Sequence, residues 1–372
     1  MVGRKWVVRG MAMMSLALLC ACSPYPDSGT GVADLPDSSR YEGEFLDGLF
    51  HGKGKLVWRH GGYYEGTFTH GLIEGDGVMI LPEGTHKEGQ FKNGQLHGVG
   101  KIRYADGSTY EGSFVAGKYT GIGMYRSGDE FYQGEWLNGK KQGKGHYIKE
   151  GFGEYVGQFY DDEIAGRGVL ETEAGARYEG QFDKGKPQGQ MVITTPGGGL
   201  LKARFVYGQA VGPGEQRMED GSGYTGDFAG GEWHGKGEHI DSQGNIYRGE
   251  FQHGAYHGYG KILFTDGREF HGSFEAGDPH GKGSIEYPDR SRYAGDFENG
   301  LPNGEGIFEF PNGDRYVGEF EDGLFEGTGT LVFDPDSGRL PISGVWSDGE
   351  YIGKPLERSE QAPGERIRIK VK

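Results

Sequence analysis

The sequence predicts an all-β chain, an elongated antiparallel β-meander of about fourteen hairpin repeats, on three observations. A pentapeptide Tyr-x-Gly-x-Phe recurs on a 23-residue beat from Tyr41 to Tyr316. Its Tyr, Gly and Phe stand at i, i+2 and i+4, the spacing that puts three side chains on one face of a strand. Glycine supplies 75 of the 372 residues, and that many would oppose helices at about 1 kcal/mol each. A fixed period of this length marks a repeat array, in which each unit buries its apolar face only against its neighbours.

The copies run Tyr41 to Phe45, Tyr64 to Phe68, Tyr110 to Phe114, Tyr132 to Trp136, Tyr155 to Phe159 and Tyr178 to Phe182. They resume at Tyr224 to Phe228, Tyr247 to Phe251, Phe270 to Phe274, Tyr293 to Phe297 and Tyr316 to Phe320. Degenerate copies stand at Lys87 to Phe91, Leu201 to Phe205 and Ile342 to Trp346. Within each copy the intervening pair, such as Glu42 and Glu44, is mostly polar and takes the opposite face. The aromatic ladder is therefore the expected core.

Eleven residues past the first aromatic comes Gly-x-Gly, as at Gly52 and Gly54 or Gly235 and Gly237. A short alternating run follows (Leu56 and Trp58, Ile285 and Tyr287), and then a turn signal such as Asp106-Gly107 or Asn312-Gly313, dipeptides suited to positive φ. Each unit reads as strand, turn, strand, turn. Two intervals are off the beat: 22 residues from Tyr110 to Tyr132 and 26 before Ile342. The missing residue lies after Gly123, and the extra ones fall in Asp334-Pro-Asp-Ser-Gly338, so both changes sit in turns. At about 4.8 Å per strand, fourteen hairpins in series would extend roughly 130 Å. Around 191–216 the pattern weakens: Met191 and Ala203 replace glycines and Leu201 replaces Tyr. That stretch is either a bend between two blocks or a drifted unit that still stacks.

Tyr41-Glu-Gly-Glu-Phe-Leu-Asp-Gly-Leu-Phe-His-Gly-Lys-Gly54 resembles a MORN repeat, and the copies at Tyr224, Tyr247 and Phe270 keep most of the pattern. The resemblance covers residues 41 to about 350. It implies a twisted, rod-like hairpin array used for scaffolding, self-association or contact with membranes and partner proteins, and it implies no reaction.

Residues 1–21 have the outline of a signal peptide: basic Arg4, Lys5 and Arg9, an apolar stretch from Gly10 to Leu19, then Leu19-Cys-Ala-Cys22. The stretch is too short to span a bilayer as a helix. Its end resembles a bacterial lipobox, which implies cleavage before Cys22, acyl chains on Cys22 and an envelope address, with Ser23 suiting an outer membrane. The alternative is a soluble secreted protein. Residues 22–40 read as a lipidated flexible tether, 41–350 as the array and 351–372 as a basic tail. Cys20 and Cys22 are the only cysteines, so a disulfide or thiolate metal site is not expected in the array.

Formal net charge is −16, and removing Arg4, Lys5 and Arg9 takes it to −19. Such a body repels nucleic acid and anionic lipid, so non-specific binding to either is not expected. The tail reverses sign with Arg366, Arg368, Lys370 and Lys372 alternating with Ile367, Ile369 and Val371. It reads either as a final strand capping the sheet edge or as a basic strand that docks on headgroups, anionic glycan or an acidic partner.

His51, His97, His234, His257 and His280 share one repeat position. Equivalent positions in neighbouring units lie about 10 Å apart, too far for one zinc with ligands at about 2.0–2.1 Å, so turn histidines are expected rather than a metal site. Asp161-Asp-Glu163 falls at a hairpin tip and reads as a solvated turn rather than a calcium loop. The Gly-x-Gly runs recur without a following helix or Lys-Ser pair and are not phosphate loops. No catalytic residue, cofactor or metal is therefore assigned. The expected function is a non-catalytic, membrane-anchored scaffold or protein-interaction module of the cell envelope. The alternative is an envelope glycan or phospholipid binder.

Overall fold

In a computed structural model, which describes residues 26–354, alternation becomes strand throughout. Twenty-nine strands form among the described residues, with one short 3-10 helix at Pro335–Ser337 as the exception there. They amount to fourteen hairpins preceded by a single strand. That strand is β1 (Ser28–Asp34), and the first hairpin is β2 (Arg40–Leu46) with β3 (Leu49–Val57). The second is β4 (Tyr63–Thr69) with β5 (Leu72–Ile80). The chain divides into two compact units at Gln142 and Gly143, and within each unit successive strands pair antiparallel as a meander.

Two chemically distinct turns alternate along each unit. At the hairpin tips, Asp47 and Gly48 both have positive φ, 53° and 70°, the type I′ geometry that matches strand twist. Asp161 and Asp162 form the same tip turn with φ of 54° and 75°. Between hairpins runs a five-residue turn such as 104–108. There the Tyr104 amide donates to the Ser108 carbonyl (2.8 Å), and the Asp106 carboxylate accepts from the Ser108 amide at 2.9 Å. The 22-residue interval shortens this second turn, since Ser127 pairs with Glu130 across Gly128-Asp129 alone. The 26-residue interval lengthens it with the 3-10 helix, closed by Gly338 at φ 65°.

The Gly-x-Gly lies inside the second strand, where the sequence suggested it would precede that strand. Gly43 pairs with Gly54 and Glu44 with His51, so Gly52 and Lys53 are extra on β3 and form a bulge. Gly52 takes φ 55° there. The Glu44 carboxylate turns back to accept from the Lys53 amide at 2.7 Å. Gln158 does this for the Arg167 amide (3.0 Å), and Glu319 for that of Thr328 (3.2 Å).

The second Gly continues a ladder of paired glycines, Gly31 with Gly43, Gly43 with Gly54, Gly54 with Gly66 and Gly66 with Gly77. The Tyr41 ring lies across Gly43 and Gly54, so close that a Cβ on either would meet it. Its hydroxyl donates to the carbonyls of Glu44 (2.8 Å) and His51 (3.3 Å) beside the bulge. Tyr224 and Tyr247 repeat this bond pair on Asp227 and His234 and on Glu250 and His257. A buried phenol thereby finds partners where the bulge breaks the ladder.

The core is an aromatic file. Tyr41 meets Phe45 of its own hairpin edge-on at 5.2 Å and Phe68 of the next at 5.1 Å. Tyr64 to Phe91, Tyr224 to Phe251 and Tyr293 to Phe320 make the same step between hairpins. Edge-to-face pairs of this kind add about 0.5–1.5 kcal/mol beyond area burial. A third ring stacks flat on the tyrosine in five units: Phe50, Tyr119, Trp233, Tyr256 and Phe325. All fourteen residues at the last pentapeptide position are buried.

The hairpin beginning at Phe270 has the ring but lacks the hydroxyl, and a Cβ at Gly272 or Gly283 would meet Phe270 Cζ. Phe270→Tyr is expected to stabilise the protein by about 1 kcal/mol, the net worth of one added buried hydrogen bond. A raised denaturant midpoint is the readout, and an unchanged or lowered one would show that the hydroxyl finds no acceptor.

Two sequence expectations need correction or refinement. The tether assigned to 22–40 contains β1, which is paired along its whole length with β2 and buries Ala33 against the array. Its prolines and two glycines suggested a linker, but the otherwise open edge of β2 gives that segment backbone partners. In the degenerate stretch the strands Lys186–Thr194, Leu200–Val206 and Gln209–Arg217 stay paired, with Met191 and Ala203 buried. The Met191 sulfur occupies the space above Gly180, and Tyr178, unlike the other tyrosines at its repeat position, is only half-buried.

Candidate interaction surface

With Tyr, Gly and Phe committed to one face, the intervening residues build the other. Across the first unit, Glu42, Lys55, Glu65, Val78 and Glu88 pair in succession through five strands. A groove of about 1070 Å³ opens there. Gly54, Gly66, Gly77 and Gly89 line it together with Glu42, Lys53, Lys55, Tyr63, Glu65, Asp76 and Glu88. The core's need for glycine under each tyrosine thus leaves bare backbone within the groove on the opposite face.

Charges in the groove are ordered rather than diffuse. Lys55 Nζ sits 2.9 Å from Glu65 Oε2 and 4.3 Å above the Tyr63 ring centroid. The hydrogen bond to Glu65 raises the Lys55 pKa, so the ammonium stays charged across neutral pH. Lys53 Nζ reaches Thr67 Oγ1 at 3.0 Å. These pairs are solvent-exposed, where an ion pair contributes about 0–1 kcal/mol, so an incoming ligand can exchange them at small cost. The arrangement suits recognition of a polar or charged chain by backbone and alternating charge.

The histidines of the repeat do not sit in turns as expected. His51, His97, His234, His257 and His280 lie in second strands beside the bulge, and the carbonyls of His51, His234 and His257 serve the tyrosine hydroxyls. The fold also brings together histidines that the 23-residue beat kept apart. His51 meets His70 at the next hairpin's tip with ring centroids 5.4 Å apart, and His234 meets His253 at 6.3 Å. Tip stacking makes these neighbours, and no spacing within one repeat reveals it. Among the described residues no group of three or more His, Cys, Asp or Glu is placed to hold a metal. No helix among them is long and apolar enough to cross a membrane. Cys22 and the tail residues Arg366, Arg368, Lys370 and Lys372 lie outside the described residues.

A bulged hairpin array with its aromatic ladder inside and ordered charge outside defines a repeat-based interaction or scaffold module. The MORN repeat matches twelve stretches: 41–63, 64–86, 88–109, 110–130, 132–151, 155–177, 178–198, 224–246, 247–267, 270–292, 293–315 and 316–337. The chain belongs to the MORN-repeat family. The hairpins at 200–217 and 342–353 fall outside those matches yet have the same construction. No curated protein matches the chain.

Among solved structures, the TCP10 domain of Danio rerio CPAP, in complex with a peptide of Danio rerio STIL, is 14% identical. It covers 72% of this chain and 93% of its own at a TM-score of 0.25. The SAS-4 TCP domain of Drosophila melanogaster with a proline-rich motif of Ana2 is 11% identical, covering 48% and 88% at a TM-score of 0.28. Virginiamycin B lyase from Staphylococcus aureus is 11% identical, covering 83% and 92% at 0.13. At TM-scores this low the superpositions carry no argument about this chain.

Proposed function

We propose that this chain is a non-catalytic scaffold of the bacterial cell envelope, anchored through Cys22, whose outer face binds protein partners or a second copy of the chain. The observation that carries the interaction reading is the groove of the first unit, with its glycines and the exchangeable Lys55–Glu65 pair. Partners engaged along successive repeats would add weak contacts by multivalency. The aromatic ladder serves as core and not as recognition surface, its rings being buried except at the half-buried Tyr178.

Crosslinking in intact cells, followed by purification with the anchor preserved and mass spectrometry, tests the reading. One or two defined proteins, or a self-crosslinked dimer, is the expected recovery. Lys53→Glu with Lys55→Glu is expected to cut that recovery several-fold without unfolding the array. Recovery of peptidoglycan fragments or lipid alone would replace the protein partner with the envelope-binding alternative. The anchor has its own test. Cys22→Ser is expected to move the protein from the membrane pellet to the soluble fraction, since multiple acyl chains on one residue hold firmly. Retention in the pellet would refute the acyl anchor.

A further inference from the structure

The direction of β1 fixes which edge of the first unit faces the residue expected to carry lipid. Ser28 pairs with Leu46, at the tip of the first hairpin, and Asp34 pairs with Arg40 at the other end. The Asp27 carbonyl accepts from the amide of the tip residue Gly48 at 3.0 Å. The chain therefore joins the array at the edge formed by the hairpin tips. Cys22 stands five residues before Asp27, a span of at most about 18 Å when fully extended. A lipid on Cys22 holds the tip edge close to the bilayer and sets the turns at 58–62, 81–85 and 104–108 farther away.

That edge is also where the first unit exposes its leucines. Leu46, Leu49 and Leu72 are 37%, 45% and 51% exposed at the first two tips, and exposed Val115 and Leu137 continue the row at later ones. The tips stack in order, because Gly71 donates to the Phe50 carbonyl and Gly94 to that of Ile73. Interspersed among the leucines are exposed Lys92, Lys118 and Lys140, with Asp27 and Asp47 as the acidic residues at this edge. The opposite edge of the same unit carries Asp34, Asp37, Glu83, Asp106 and Asp129 against Arg40, Arg59 and Arg103. In the second unit the tips are acidic: Asp161, Asp162, Glu163, Glu275, Asp278 and Glu298 are among their exposed residues. Apolar side chains flanked by cations, on the side where the anchor joins, suit an anionic headgroup layer.

We infer that the hairpin-tip edge of the first unit, through Leu46, Leu49 and Leu72 with Lys92 and Lys118, rests on the bilayer that holds the protein's own anchor. The inference rests on the anchored reading above and adds the orientation. The outer groove of the first unit is left free for partners. It corrects the expectation from net charge alone, because the acidic excess is distributed away from this edge.

The test is made independent of natural lipidation. The mature chain, with Cys22 as its single cysteine, is coupled through that thiol to maleimide-bearing lipid in vesicles of phosphatidylethanolamine and phosphatidylglycerol. Amide hydrogen exchange is then compared between coupled and free protein. Peptides over 46–49, 69–72 and 92–95 are expected to exchange several-fold more slowly on vesicles, while 81–85 and 104–108 are unchanged. Leu46→Ser with Leu49→Ser and Leu72→Ser is expected to abolish the slowing while the chain stays coupled and its melting temperature is kept. Lys92→Glu with Lys118→Glu is expected to weaken it on these vesicles and not on phosphatidylcholine.

Equal exchange on and off vesicles would overturn the inference, as would equal slowing at both edges. Slowing of the tips in free protein that grows with protein concentration would assign the leucines to a second copy instead. Failure of the Cys22→Ser release in cells would refute the natural anchor while leaving this result standing for the coupled chain.

Discussion

Gly249→Val is expected to unfold its hairpin and both neighbours, at a cost in the upper part of the about 1–3 kcal/mol typical of overpacking or beyond it. A Cβ at Gly249 would stand within 2.7 Å of the Gly260 Cα across the ladder and closer still to the Tyr247 hydroxyl. The first obstacle is backbone and cannot rotate away. The second is a fully buried ring that donates to Glu250 and His257 and packs on Phe251, Tyr256 and Phe274. Moving Tyr247 therefore breaks two hydrogen bonds and the step to the next repeat together. Gly254 is the control, since a Cβ there meets nothing within 4 Å, although its φ of 80° strains any L residue. Hydrogen exchange should show lost protection from about 224 to 283 in the Gly249 variant. An unchanged melting curve would mean that the glycine ladder is not under the rings.

Most of the fold was legible in the sequence because one physical rule, period-2 alternation with aromatic, glycine and aromatic on a face, is repeated in every unit. The length changes were placed correctly for the same reason. What escaped depends on contacts between units. The flat-stacked rings at Phe50, Tyr119, Trp233, Tyr256 and Phe325 stand nine residues past the first aromatic. Elsewhere that position holds Ile73, Leu96 or Pro187, so no fixed residue type marks it. Strand β1 did leave a signal: Gly29-x-Gly31 stands one repeat before Gly52-x-Gly54. No pentapeptide stands one repeat before Tyr41, which is why composition read the segment as tether. The groove was hidden because the pattern assigns pentapeptide glycines such as Gly66 to the packed aromatic face and says nothing of the bare backbone they leave on the other. The two histidine pairs needed the lateral stacking of tips. The family and the hairpin array thus follow from local pattern, whereas the interaction surface depends on which strands lie side by side.

Alkaline pH is expected to dissolve the array cooperatively between about pH 10 and 12, with the tyrosines as the cause. Burial pushes the phenols of Tyr41, Tyr64, Tyr155 and Tyr224 from 10.0 to about 12, and it raises Tyr110, Tyr247, Tyr293 and Tyr316 further. These groups are neutral when protonated, and their folded pKa lies above the unfolded one. Below pH 10 both states hold the proton and the full stability is present. Above it the unfolded chain releases protons that the folded one keeps, so stability falls with each further step in pH. Many such residues share the linkage, which makes the loss steep where a single tyrosine would make it gradual. Tyrosinate absorbance and loss of sheet signal should rise together in one transition. Tyr247→Phe should lower stability at neutral pH by about 1 kcal/mol through the lost hydroxyl bonds. The same change removes one proton from the alkaline linkage and flattens that transition. If the phenols instead ionise gradually near their ordinary value while the strands persist, the rings are open to water and cannot be what binds one repeat to the next.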